Sequence, residues 1–101
     1  MVDRDTAGVV FVKEMGIEHR EFFRLLPKAL GSADFRVDGG HIRYGDGDKR
    51  MEITLSPEGE RRIALLRMPV TLVEIAFHGY TDAEVEDAMR RFDMHFQRGG
   101  G

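Results

Sequence analysis

The chain has 101 residues, 42% of them hydrophobic, which suits a single domain with one core. Its net charge of -3 comes from 15 basic and 18 acidic residues, so there is no overall attraction to nucleic acid or to an anionic membrane. The absence of cysteine excludes disulfides, thiolate catalysis and thiolate zinc sites, and it fits a cytoplasmic protein.

The two ends of the chain differ in composition from its middle. Residues 1–7 are mostly polar and predict a flexible leader, and residues 98–101 form a flexible glycine-rich tail, which leaves one domain over residues 8–97. The apolar run at residues 9–12 is too short for a signal peptide or a membrane span. It predicts a strand over residues 8–13 that is covered on both faces, at either the edge or the centre of a sheet. We expect a cytoplasmic protein without a membrane segment.

The next stretch predicts a helix over residues 17–30. Its apolar side chains recur at helical spacing, and they are Phe22, Phe23, Leu25, Leu26 and Leu30. Pro27 is expected to kink or end the regular helix, and Gly31 is expected to stop it.

From residue 34 onward, alternating apolar residues predict an antiparallel meander. Gly39 and Gly40 suit a two-residue hairpin that sets Phe35 and Val37 opposite Tyr44 and Ile42. A turn over residues 45–48 then predicts that Ile42 pairs with Met51. On the next strand, the side chains expected to face inward are Met51, Ile53 and Leu55.

Residues 56–59 suit a three-residue hairpin with Gly59 at its left-handed position. This turn predicts a strand over residues 61–67, with Ile53 opposite Ile63 and Met51 opposite Leu65. Residues 68–69 include a proline and predict the turn into a final strand over residues 71–77. That turn sets Leu65 opposite Val73 and Ile63 opposite Ile75.

A C-terminal helix is predicted by a capping box, in which Thr81 and Glu84 stand three residues apart. Apolar side chains follow at helical spacing as far as Phe96, and we expect the helix to end at residue 96 or 97. The predicted fold is α+β, with the order β-α, a meander of about five antiparallel strands, and α, and with both helices packed on one face of the sheet.

The opposite face of the sheet is the predicted interaction surface. By the predicted register, Arg36, Arg43 and Arg50 form one row that Leu66 and Leu72 continue, and the neighbouring row includes His41, Glu52 and Glu74. Guanidinium groups beside exposed leucines favour contact with a protein partner or an anionic ligand. The alternative is a solvated face on which opposite charges pair.

Aromatic side chains and imidazoles also suggest a pocket between the helices and the sheet. Its candidate residues are His19, Phe22, Phe23, Phe92 and His95. Either histidine could act as an acid or a base there, although such aromatic side chains commonly only fill a core. The four histidines show no metal-ligand spacing, so no metal and no cofactor are predicted.

The terminal run from Arg98 to Gly101 resembles the glycine-ended tails of ubiquitin-like sulfur-carrier proteins over four residues. In that family the terminal glycine is activated through its carboxylate, and the tail follows a strand, whereas here it follows the predicted helix. The resemblance therefore implies at most a conjugation role through Gly101.

These observations predict a small non-catalytic interaction or assembly module, a homo-oligomer that associates through the outer face of its sheet. The alternative is a small-ligand binding protein or minor enzyme that uses the pocket bordered by His19 and His95. Nucleic acid and membrane are not expected partners.

Overall fold

The computed structural model describes residues 8–100. Its elements are β1 (Val9–Met15), α1 (His19–Leu30), β2 (Phe35–Asp38), β3 (His41–Asp46), β4 (Lys49–Leu55), β5 (Gly59–Ile63), β6 (Leu66–His78) and α2 (Asp82–Gly100). The predicted leader, residues 1–7, and the terminal Gly101 lie outside the described residues.

The α+β prediction is confirmed. Six antiparallel strands form one open sheet in the order β1-β6-β4-β3-β2, with β5 paired to β6, and both helices cover the same face. The core between the helices and the sheet is apolar, and its side chains that are at most 1% exposed are Phe22, Leu26, Ile42, Ile53, Val73, Ile75, Phe77 and Phe92. The inward alternation predicted for residues 51–55 and 73–77 is therefore confirmed.

The predicted helix ends agree in part with the structure. The Thr81 hydroxyl accepts from the Glu84 N–H at 3.2 Å, and the Glu84 carboxylate accepts from the Thr81 N–H at 2.9 Å, which confirms the capping box. Pro27 lies inside α1 without ending it, and Gly31 ends the helix with φ +75°. Helix α2 continues to Gly100, beyond its predicted end at residue 96 or 97.

The β2–β3 hairpin has the predicted register, but the next pairing is displaced by two residues. Ile42 lies opposite Ile53, and Met51 lies opposite Tyr44, so the predicted Ile42–Met51 pair is wrong. The connection is the two-residue turn of Gly47 and Asp48, because β3 extends to residue 46 instead of ending at Gly45. A shift of two residues keeps every side chain on its predicted face.

The larger correction concerns residues 56–70. Residues 56–58 do not reverse the chain, because β4 and β5 both pair with β6 in the same direction. Leu55 lies opposite Val73 and Gly59 opposite Val70, so three residues of one strand face two of the other, as in a β-bulge. The predicted pairs of Ile53 with Ile63 and of Met51 with Leu65 are wrong, since Ile53 faces Ile75.

The chain reverses instead at Ala64 and Leu65, where Ala64 has φ +56°. The predicted turn at residues 68–69 is absent, because β6 runs unbroken through Pro69. The predicted pairs of Leu65 with Val73 and of Ile63 with Ile75 are therefore wrong as well. We call β5, the turn and residues 66–70 the hairpin arm, which extends past the end of β1, since Met15 lies opposite Thr71.

Pro69 is tolerated because its position needs no backbone donor. The Ser56 N–H donates to the Leu72 carbonyl at 2.9 Å, so the even-numbered residues of β6 direct their backbone groups toward β4 and β5. The odd-numbered residues then bond to β1, which ends opposite Thr71. At position 69 the missing N–H therefore faces the side on which β1 has already ended.

Candidate functional site

The candidate site is the face of the sheet that the helices leave uncovered, which we call the outer face. Side chains alternate along each strand, and directly paired residues share a face. The buried residues Val73 and Ile75 lie on the helix side, so their neighbours Leu72 and Glu74 lie on the outer face. The strand pairs then place all eight residues of the predicted interaction surface there: Arg36, His41, Arg43, Arg50, Glu52, Leu66, Leu72 and Glu74.

The predicted order of these residues across the strands is wrong. Arg36 lies opposite Arg43, but Arg43 lies opposite Glu52, and Arg50 lies opposite Gly45 and His78. The three arginines therefore form no straight row, and Leu66 and Leu72 do not continue one. The error follows directly from the displaced β3–β4 register and the misplaced turn.

An apolar strip runs along the β1 and β6 side of the outer face. We define it by five side chains, with their exposed fractions: Val10 (44%), Val12 (66%), Leu66 (64%), Met68 (43%) and Leu72 (49%). Val10 and Val12 lie opposite Ala76 and Glu74, which places both valines on the outer face. At the tip of the hairpin arm, Leu65 is 98% exposed. The strip therefore passes from the body of the sheet onto the arm.

Three members of the strip were missed by the sequence reasoning. Val10 and Val12 belong to the edge strand β1, one face of which is uncovered, whereas the continuous apolar run predicted a strand covered on both faces. Met68 was placed in a turn. Alternation along an unbroken strand over residues 66–78 is the signal that assigns Met68 to the same face as Leu72.

The other half of the outer face is polar and is organised around Glu52. Its carboxylate accepts from the Arg50 Nε–H at 2.7 Å, lies 3.7 Å from the Arg43 guanidinium and 3.7 Å from the His41 ring, and its side chain is only 20% exposed. The hydrogen bond from Arg50, reinforced by the charge of Arg43, lowers the pKa of Glu52 against the opposing effect of its partial burial. Glu52 therefore stays ionised and fixes the guanidinium groups around it.

An ion pair ties the hairpin arm to the edge strand across this face. The Arg61 guanidinium contacts the Glu14 carboxylate, and the two residues lie opposite Met68 and Leu72 on β6. Both partners are about half exposed, so the pair adds little stability. Because β5 and β1 lie on opposite sides of β6, the pair crosses the apolar strip between Met68 and Leu72.

The residues predicted to line a pocket have other roles in the structure. The Nε2 atom of His19 lies 2.7 Å from the Ser56 carbonyl, and its backbone N–H donates to Glu58, so His19 fastens the start of α1 to the bulge. Phe22 and Phe92 are buried, with ring centroids 6.3 Å apart. Phe23 packs at the edge of the core, and His95 is half-buried on α2. The structure places none of the five in the lining of the pocket described next.

A small open pocket lies between the end of α1, the sheet and α2. Its volume is about 220 Å³, and its lining residues are Ala29, Leu30, Tyr44, Met51, Tyr80, Asp87, Ala88 and Arg91. Burial raises the pKa of Tyr80, so its phenol stays protonated at neutral pH. The volume is below the roughly 300–1,000 Å³ of sites for drug-sized ligands.

Among the side chains that the structure describes, no group of three or more His, Asp or Glu is placed to hold a metal ion. No helix within residues 8–100 combines the length and apolarity that crossing a membrane requires. Comparison with protein-family models, with curated proteins and with solved structures found no significant match.

Proposed function

We propose that the protein is a non-catalytic assembly module that associates with a second copy of itself through the outer face. The observation that supports this proposal is the apolar strip, because its five side chains are 43–66% exposed and both helices cover the other face. Exposed apolar surface of this kind marks contact sites in soluble proteins. A cytoplasmic location, which the cysteine-free composition fits, is part of the same proposal.

The dimensions of the strip suit the apolar centre of an interface. From Leu66 to the level of Val10, which lies opposite Ala76, β6 advances ten residues, or roughly 33 Å. Standard interfaces bury roughly 800 Å² on each partner, with an apolar centre inside a polar rim. The strip would supply that centre, and the polar half around Glu52 would supply one side of the rim.

The charges beside the strip favour a defined contact over unspecific aggregation. Glu52 is held between Arg43 and Arg50, and Glu14 is held by Arg61. Each carboxylate would therefore enter an interface already paired with a guanidinium group. Rim charges of this kind suppress wrong partners and fix the relative position of two surfaces.

The test is a double substitution, Leu66→Glu with Leu72→Glu, measured by sedimentation equilibrium. Two carboxylates in the centre of the interface would face desolvation without a partner, so we expect the average mass to fall below that of the wild type. The matched control is Val37→Glu with Met94→Glu, since both residues are 49% exposed but lie away from the outer face. The proposal fails if the Leu66 and Leu72 variant keeps the wild-type mass while circular dichroism shows a folded protein.

A second candidate is binding of a small metabolite in the open pocket. The observation that favours it is the convergence of two phenols, a carboxylate and a guanidinium on one pocket, from Tyr44, Tyr80, Asp87 and Arg91. Native mass spectrometry of the protein as purified would reveal a stoichiometric added mass. Loss of that mass in an Arg91→Ala variant would support this site, and retention would exclude it.

A further inference from the structure

Within the described residues 8–100, strand β1 leaves a row of backbone hydrogen-bonding groups without a partner strand at the edge of the sheet. Because the odd-numbered residues of β6 bond toward β1, the β1 residues opposite them use their N–H and C=O groups inside the sheet. The alternate residues Val10, Val12 and Glu14 direct their backbone groups away from β6. These three residues therefore offer three donors and three acceptors on one open edge.

The two strands at the ends of the sheet order, β1 and β2, differ in how they are protected against pairing. At the far edge, β2 has only four residues, and two of them, Arg36 and Asp38, are charged. Short, charged edge strands resist addition of another strand. At the near edge, β1 has seven residues, contains neither proline nor glycine, and includes Val10 and Val12 with 44% and 66% exposure. Of these two edges, β1 has the length and composition of one that accepts a partner strand.

We propose that β1 pairs antiparallel with β1 of a second copy about a two-fold axis at Val12. In this register Val12 lies opposite Val12 of the other copy, and Val10 lies opposite Glu14, so the three donors and three acceptors of each strand form six hydrogen bonds. On the helix side, Phe11 lies opposite Lys13. The register uses the whole of β1, because Val12 is the central residue of Val9–Met15.

The alternative registers are less favourable. A shift of two residues toward the C-terminal end sets Lys13 opposite its own copy, and like charges in direct opposition are destabilising. A shift of two residues the other way sets Glu14 opposite Gly8, whose φ of +65° departs from an extended strand. A shift by one residue sets the outer side chains of one copy opposite the helix-side ones of the other. Among the registers in which β1 can pair with a second copy, the chemistry of β1 therefore favours the one centred on Val12.

This contact rests on the proposed self-association and adds a second surface to it. A two-fold axis perpendicular to the sheet leaves both outer faces on the same side, so the apolar strips of the two copies adjoin. The paired sheets would present a wider apolar face for the contact proposed above.

The test is disulfide crosslinking, because the cysteine-free chain makes a single introduced cysteine unique. In the proposed register the two Val12 Cα atoms lie about 5.5 Å apart, within the roughly 4.4–6.8 Å range of disulfides. The two Val10 Cα atoms lie four residues apart along the strand, or about 13 Å. We expect Val12→Cys to form a covalent dimer under mild oxidation and Val10→Cys to form less than a tenth as much. Equal crosslinking of the two variants, or crosslinking of neither, would overturn the proposal.

A backbone substitution gives an independent readout. In Val12→Pro the lost N–H is the outward one, so pairing with β6 is kept while pairing with the second copy is blocked. Val12→Thr is the matched control, since it also makes the side chain less apolar but retains the N–H. We expect a lower average mass for the proline variant than for the threonine variant, and equal masses would contradict the edge contact.

The two proposals fail in distinguishable ways. If only the edge contact is wrong, the Leu66 and Leu72 variant still loses mass, and Val12→Cys does not crosslink. If only the outer-face contact is wrong, the Leu66 and Leu72 variant keeps its mass, and Val12→Cys still crosslinks.

Discussion

Thr71 holds the point at which β6 passes from the body of the sheet into the hairpin arm. Its side chain is fully buried, and its hydroxyl donates to the Ile17 carbonyl at 2.8 Å, which joins β6 to the segment before α1. Thr71→Val keeps the shape of the side chain and removes the donor. The Ile17 carbonyl would then be buried without a partner, at a cost of about 1–3 kcal/mol of unfolding free energy.

We expect this loss as a lower urea midpoint with an unchanged slope, and as a fall in melting temperature of about 4 °C or more. The control is Thr54→Val, because Thr54 lies on the exposed outer face, where such a change costs roughly 0.5 kcal/mol or less. A Thr71→Val protein as stable as the wild type, or an equal loss in both variants, would refute the role assigned to this hydrogen bond.

Three other predictions concern the turns and the Glu52 cluster. Ala64→Gly should raise the free energy of unfolding by roughly 0.5 kcal/mol, because relief of the positive φ exceeds the added entropy of the unfolded chain, and a lower urea midpoint would contradict this. Gly79→Ala should lower the free energy of unfolding, measured in urea, by about 2 kcal/mol or more. Gly79 has φ +78°, and an added Cβ would lie 1.6 Å from the Asp48 carbonyl oxygen. A loss below roughly 0.5 kcal/mol would contradict this clash. The pKa of Glu52 is lowered in the folded protein, so the ionised carboxylate contributes to the free energy of unfolding. This contribution is complete above the ordinary carboxyl pKa of 4.5 and is lost as pH falls through the lower folded-state pKa. Glu52→Gln should therefore flatten the fall in melting temperature on acidification, and a profile parallel to that of the wild type would count against the cluster.

The parts of the fold that were predictable have local signals. Thr81 and Glu84 form the capping box that their spacing indicates, and Gly31 ends α1 in the left-handed conformation. Alternation also assigned the inward side chains of β4 and β6 to the core, because a displacement of two residues leaves the faces unchanged. The candidate interaction residues were accordingly placed on the correct face but in the wrong rows.

The turns were misplaced because the actual turn lacks the usual sequence signals, and two segments that are not turns carry them. Ala64 and Leu65 contain none of the residues that favour turns, yet they form one. In residues 56–59 the proline lies inside a bulge and the glycine directly follows it. Pro69 suggested a turn because a proline removes a donor, but at position 69 that donor has no partner strand. Whether a donor is needed depends on where β1 ends, which no local pattern reveals. Met68 could not be assigned to the apolar strip for the same reason.

The open pocket had no signal in the sequence. Its lining combines the end of α1, two strands, the segment before α2 and α2 itself, and these residues are far apart along the chain. The aromatic residues that suggested a pocket, including Phe22 and Phe92, pack against one another in the core. Burial of aromatic side chains is the commoner outcome, and periodicity alone does not separate it from a ligand site.

The central claim is that the wild-type protein associates with itself, and the most direct test is sedimentation equilibrium over a range of concentrations near neutral pH. Self-association through the outer face predicts an average mass that rises with concentration to at least twice the 11.5 kDa of one chain. A mass that stays at 11.5 kDa up to concentrations near 1 mM, equivalent to a binding free energy weaker than about 4 kcal/mol, would contradict the claim.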